Sequence, residues 1–116
     1  MKPLLVLVVG LLAVGCSTLT PEEKVVGEYE HKKRGHKYVF LENGAAEGYV
    51  RGNRQKAEEY KWSIVDGEIY VHWYGERIGE VYRINTDKSI TWIADIDDGK
   101  RTELSNRHQA TYKKIK

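Results

Sequence analysis

Four histidines, an acidic turn and a set of alternating aromatic side chains are the residues here whose types could do chemistry. His31 and His36 flank Lys32-Lys33-Arg34-Gly35. A metal site asks for neutral imidazoles or thiolates converging at short spacing. The cations between this pair oppose a further positive charge, so the segment reads as a solvated hairpin tip. His108, in Ser105-Asn106-Arg107-His108, reads as another solvated loop. Asp95-Ile96-Asp97-Asp98-Gly99 invites a calcium reading, but an EF-hand loop needs Gly at position 6 and Glu at 12. Counting from Asp95 puts Lys100 and Asn106 there, so an Asp-Gly hairpin is the better account. Gly-x-Ser-x-Gly, His-Glu-x-x-His and phosphate-cradling glycine loops are missing. The expectation is binding rather than catalysis, with no metal and no cofactor.

The aromatic residues are the better lead. Tyr70, His72 and Tyr74 alternate along one segment, opposite Ile69, Val71 and Trp73. With Trp62 and Trp92, the set Trp62, Trp73, Trp92, Tyr70, His72 and Tyr74 forms the candidate ligand-binding group. Aromatic walls with a few hydrogen-bonding tips suit a small-ligand pocket. In the competing reading, Ile69, Val71 and Trp73 fill a packed interior. Tyr70, His72 and Tyr74 then sit outside, as a face for a protein partner.

A chain of 116 residues supports one domain. The net charge of +2 is too small for a duplex nucleic-acid partner, which needs a concentrated basic surface. Lys113, Lys114 and Lys116 near the C-terminus read as solubilising an edge strand. Cys16 is the one cysteine, so no intramolecular disulfide can form.

Cys16 follows a basic Lys2, an apolar run over 4–14 and a small-residue approach, Ala13-Val14-Gly15. The run is shorter than the ~20 residues of a comfortable membrane span. Gly15-Cys16, with Ala13, Val14 and the more distant Leu12, resembles the lipobox of bacterial lipoproteins. The resemblance implies diacylglyceryl transfer to the Cys16 sulfur, cleavage after Gly15 and acylation of the new amine. Residues 1–15 would be a cleaved signal helix, 16–20 a lipidated tether and 21–116 the domain. The membrane is then a partner through acyl chains alone, each buried CH₂ contributing ~0.8 kcal/mol. The protein would sit on the extracytoplasmic side of the bacterial envelope. Ser17 after the cysteine favours the outer membrane if the host is Gram-negative.

Thr20-Pro21-Glu22-Glu23 reads as a helix start, and Gly27 limits the helix to residues 21–26. Beyond it, strands are expected near 27–32, 37–42, 46–51, 57–65, 68–74, 77–84, 89–96, 100–104 and 109–115. Turn signals include Asn43-Gly44, Gly52-Asn53, Asp66-Gly67, Gly75-Glu76 and Asp98-Gly99. Connections this short join antiparallel neighbours, so the chain is an up-and-down meander. Tyr60, Trp62 and Ile64 share one face of their strand, as do Ile69, Val71 and Trp73, and Ile90, Trp92, Ala94 and Ile96. A sheet with one apolar face must curl to hide it. The expected fold is therefore all-β: an antiparallel meander closing into a small barrel, complete or incomplete.

Gly27-x-Tyr29, Phe40 with Asn43-Gly44, Trp62-x-Ile64 and Gly67-Glu68-Ile69 resemble the lipocalin-like domains of small bacterial lipoproteins. The resemblance implies that Tyr29 stands where lipocalins carry Trp, plugging the closed end of the barrel. Lys113 or Lys114 would lie over it in place of Arg. The expected function is that of a lipid-anchored binding module for a small apolar or aromatic ligand. The alternative is an envelope protein-interaction or inhibitor module with a filled core.

Overall fold

The computed structural model describes residues 20–54, 60–74 and 77–116. Helix α1, Pro21–Val25, begins at a reciprocal cap. The Glu23 N–H donates to Thr20 Oγ1 at 3.1 Å, and the Thr20 N–H donates to Glu23 Oε1 at 2.9 Å. Strands β1 (Gly27–His31), β2 (His36–Phe40), β3 (Ala45–Val50), β4 (Asn53–Arg54) and β5 (Tyr60–Val65) follow. Then come β6 (Glu68–Tyr74), β7 (Ile78–Ile84), β8 (Ile90–Asp97), β9 (Lys100–Glu103) and β10 (Ala110–Lys114). The nine expected strands are present, and the two-residue β4 is an addition. Residues 57–59 of one expected strand and the Gly75-Glu76 turn lie outside the described residues.

All pairings are antiparallel, and β10 bonds to both β1 and β8. Strands β1, β2, β3, β5, β6, β7, β8 and β10 thereby close into an eight-strand barrel, with β9 as an extra strand. The all-β barrel fold is as the alternation requires. Asp66-Gly67 and Asp98-Gly99 both take positive φ at their two central residues, as tight type I′ hairpins demand. The turn expected at Gly52-Asn53 is instead centred on Arg51-Gly52, and Asn53 pairs with Val50. The Arg51 N–H donates to Gly35 O at 2.7 Å, tying the turn to its neighbour and fixing its register.

Strand directions gather α1 and the C-terminal residues at one end of the barrel, the base. The Lys32–Arg34 turn of 3₁₀ helix lies at the other end, the mouth. Tyr29 closes the base: its ring packs 5.4 Å from Phe40, and its hydroxyl donates to Val25 O at 2.7 Å. Lys114 Nζ lies 5.6 Å from the Tyr29 ring centroid and donates to Lys24 O at 2.9 Å. Phe40, Trp62, Ile69, Val71, Ile90 and Tyr112 fill the space above.

One expected face is overturned. Ile90 and Trp92 point inward, but Ala94 and Ile96 do not share their side. Tyr82 pairs with Trp92 while its neighbour Val81 pairs with Ala94, so Ile93 is an extra residue in β8. Such a bulge reverses the alternation beyond it. Val81, Ile93, Ala94 and Ile96 form a second cluster outside the barrel, against which Tyr70 packs. Arg101 of β9 reaches the β6 side chains Glu68 and Tyr70 at 2.7 and 3.1 Å, holding the departing β8–β9 hairpin against the wall.

The base plug sets a measurable stability. Tyr29→Phe, which loses the bond to Val25 O, should cost about 1 kcal/mol. Tyr29→Ala, which also leaves a cavity, should cost about 3–5 kcal/mol. Equilibrium urea unfolding checks both; equal losses would mean that the ring contributes nothing beyond its hydroxyl.

Candidate functional site

At the mouth the inward side chains stop short of filling the barrel. Gly48 of β3 lets one wall form: a Cβ there would lie 2.7 Å from Cε2 of Tyr60 and 3.6 Å from Cε1 of Tyr38, so the Tyr60 ring lies against bare backbone. The recess has a volume of about 220 Å³. Tyr38, Tyr60, Trp73 and Trp92 wall it, Glu80 lies within it, and Arg34 and His36 stand at the rim. Tyr38 and Tyr60 rings are 6.3 Å apart, and Tyr60 and Trp73 rings 6.0 Å. Larger hollows of about 410 Å³ lie outside the barrel, one of them between α1, Ile84 and Lys88 at the base. Neither encloses an aromatic interior.

Glu80 is the unusual group. It is only 8% exposed, yet it sits on the inner face of β7 among aromatic rings. Its Oε1 accepts from Tyr38 Oη at 2.8 Å and from Tyr82 Oη at 2.7 Å. Both phenols use the same oxygen, and no hydrogen bond among the described residues reaches Oε2. Burial raises the Glu80 pKa above the ordinary glutamate value, and Asp95, its partner across the β7–β8 ladder, adds to the rise. The two phenol bonds and Arg34 act the other way. Burial and the adjacent carboxylate in turn hold the Tyr38 and Tyr82 hydroxyls well above the usual phenol range, so both remain donors.

The rim is cationic but loosely so. Arg34 is exposed, and its Cζ lies 6.0 Å from the centroid of the Trp92 ring. Trp92 Nε1 donates to Asp95 Oδ1 at 3.0 Å and to Ala94 O at 3.1 Å. His36 Nδ1 lies 3.3 Å from Tyr112 Oη, and burial, then Arg34, His31 and Arg51, lowers its pKa. The imidazole at the rim is therefore neutral at physiological pH.

The aromatic residues singled out in the sequence divide. Trp73 and Trp92 line the recess. Trp62 lies toward the base, donating Nε1 to Leu41 O at 2.9 Å. Tyr70 is on the outer side, over the second cluster and bonded to Arg101. His72, on the same outer side, stands 6.2 Å from the Tyr70 ring, and its Nδ1 is buried without a partner among the described residues. Tyr74 ends β6, its backbone paired with Ile78. His31 accepts the Arg34 N–H at Nδ1, and His108 bonds Ser105, as turn residues do. His36, expected in a solvated tip, instead opens β2 and enters the rim. The sequence reading passed over Glu80, Tyr38, Tyr82 and Gly48. The available signal was Gly79-Glu80 interrupting the apolar alternation of its strand.

Comparison with known proteins returns no match: no protein family, no curated protein and no solved structure matches the chain.

The Glu80 environment gives a pH-dependent stability of defined sign. A carboxyl whose folded pKa is raised contributes stability fully below the ordinary value of 4.5 and loses it as pH rises through the folded pKa. Glu80→Gln keeps an acceptor for both phenols and removes the charge. Its unfolding free energy should exceed wild type at about pH 8, and the gap should narrow as pH falls toward 4.5. Denaturant titrations across that range provide the check; a variant weaker than wild type at every pH would refute the assignment.

Proposed function

We propose that this chain is a lipid-anchored binding protein of the bacterial envelope, whose barrel takes a small, partly aromatic ligand at its mouth. The observation that carries the ligand reading is the 220 Å³ recess, walled by Tyr38, Tyr60, Trp73 and Trp92 and reaching the buried Glu80. Drug-sized sites begin near ~300 Å³, while a cavity of ~150 Å³ holds benzene. The recess therefore suits one ring with a polar head. The anchor reading rests on the leader ending at Gly15-Cys16. It agrees with the layout of the barrel, because α1, which follows the tether, lies at the end opposite the recess. Acyl chains on Cys16 would hold the base toward the membrane and leave the mouth facing away.

A protein-interaction module is the second reading, favoured by the packed lower barrel. The surface proposed for it is poorer than the sequence suggests. Tyr70 is tied to Arg101, and β9, the extra strand, exposes Lys100, Arg101 and Glu103, charges that discourage edge pairing.

Two measurements test the proposal. A fatty-acid probe should label the wild-type chain in its host and leave Cys16→Ser unmarked; equal labelling of both would remove the anchor. For the site, at least one of benzyl alcohol, benzoate and benzylamine should shift the indole N–H resonances of Trp73 and Trp92. Gly48→Ala, whose Cβ at 2.7 Å would press the Tyr60 ring out of its place in the wall, should weaken the shift. Silence from all three probes in the wild type would overturn the ligand reading.

A further inference from the structure

We infer that the mouth recess selects a small organic cation, a single-ring or short-chain amine whose ammonium group bonds the free Oε2 of Glu80. The inference rests on the ligand reading above and specifies its chemistry. Its first support is the hydrogen-bond count at Glu80: two phenols converge on Oε1, and Oε2 is left open on a side chain that lines the recess. Oε2 keeps some exposure in the recess, where a donor can reach it. An ammonium supplies both the missing donor and the missing charge.

The second support is the wall. Four π-bearing side chains, Tyr38, Tyr60, Trp73 and Trp92, surround the position, and ring faces attract cations most strongly where water is excluded. The chain's own Arg34 already places its guanidinium over Trp92, at 6.0 Å, from an exposed turn that tethers it loosely. Arg34 behaves as a resident competitor at the rim that a better-fitting cation displaces.

The charges facing Glu80 agree with this. From β8 comes Asp95, a second acidic group on the same face. From β2 comes Tyr38, with His36 kept neutral by burial and nearby cations. Tyr82 on β7 and Tyr112 on β10 are phenols held protonated by burial, the latter with its pKa pushed up to about 12. Among the described residues two cations border the recess: Arg34, which acts on Glu80, and Lys37, whose ammonium is paired with Glu28 at 3.4 Å. Inside the recess an anionic ligand would meet the Glu80 carboxyl, with Asp95 behind it and the cations at the rim.

The probes are benzylamine, benzyl alcohol and benzoate, matched in shape and differing in charge. They are titrated into the full-length chain in dodecylmaltoside and followed by the Trp73 and Trp92 indole signals. Benzylamine should bind at least about 10-fold more tightly than benzyl alcohol near pH 7.5, the difference expected for a hydrogen bond to a charged group. Glu80→Gln should reduce benzylamine binding to about the level of benzyl alcohol binding to the same variant. Arg34→Gln, which removes the competitor, should tighten benzylamine severalfold. Equal binding of the amine and the alcohol would overturn the cation assignment and keep the ligand reading. So would a preference for benzoate that Arg34→Gln abolishes. Amine binding unaffected by Glu80→Gln would overturn the role of Glu80.

Discussion

Strand β10 is hydrogen-bonded on both sides, and the rest of the structure depends on that double pairing. Tyr29 and Glu30 of β1 pair with it along one edge, and Ile90, Thr91 and Trp92 of β8 along the other. Without it the meander would be an open sheet with one aromatic face and a five-residue helix to cover it. Buried aromatic side chains remove roughly 150–250 Å² each from water, far more than such a helix could shield. Closure turns that liability into an interior. It also limits what the interior can be, because eight strands enclose room for packed side chains or one small ligand. Gly48 lets the Tyr60 ring lie against β3, beside the space that remains at the mouth.

Closure at β10 is incomplete along β8, and this has consequences for the site. The first half of β8 pairs with β10, and the second half pairs with β9 instead. Ile93 marks the change: its carbonyl accepts the Leu104 N–H at 2.8 Å, and its extra residue reverses the strand's alternation. The reversal moves Ala94 and Ile96 out to a second apolar cluster and carries Asp95 round to the side of Glu80. One inserted residue thus converts an apolar interior strand into one that ends in a carboxylate at the mouth. The hairpin it releases is held down by Arg101, which reaches back to Glu68 and Tyr70.

The parts of this architecture governed by local rules were legible in the sequence. Asp66-Gly67 and Asp98-Gly99 demand positive φ, Thr20 and Glu23 form a cap by spacing alone, and Ile69, Val71 and Trp73 alternate without interruption. The mouth was not legible, because its features are relations between distant residues. Glu80 reads as a surface residue of a β-strand until Tyr38, 42 positions away, supplies a phenol. The bulge leaves a trace, because Ile93 sits on the side of Thr91 and Asp95 and breaks the alternation, but only the partner strand places the slip. Arg51 in a left-handed turn was equally invisible, its conformation being fixed by a carbonyl from the neighbouring hairpin. Trp73 and Trp92 were singled out for their chemistry, but nothing local separated them from Trp62, which serves the base.

The two ends of the barrel obey different economies. At the base, the Tyr29 hydroxyl, the Trp62 indole and the Lys114 ammonium each find a backbone carbonyl, and the packing is continuous. At the mouth, a carboxylate with one unpartnered oxygen sits beside a second acidic residue, and the one nearby guanidinium leans on a tryptophan at the solvent edge. Replacing a buried ionic group by a neutral one of similar shape commonly stabilises a fold, so Glu80 does not follow from the needs of the barrel. Tyr38 and Tyr82 hold it in place without neutralising it. Groups that perturb each other in this way, inside a concavity, are the usual mark of a site built for another molecule. On the proposed reading, the molecule that completes this site is a cation donating to Oε2.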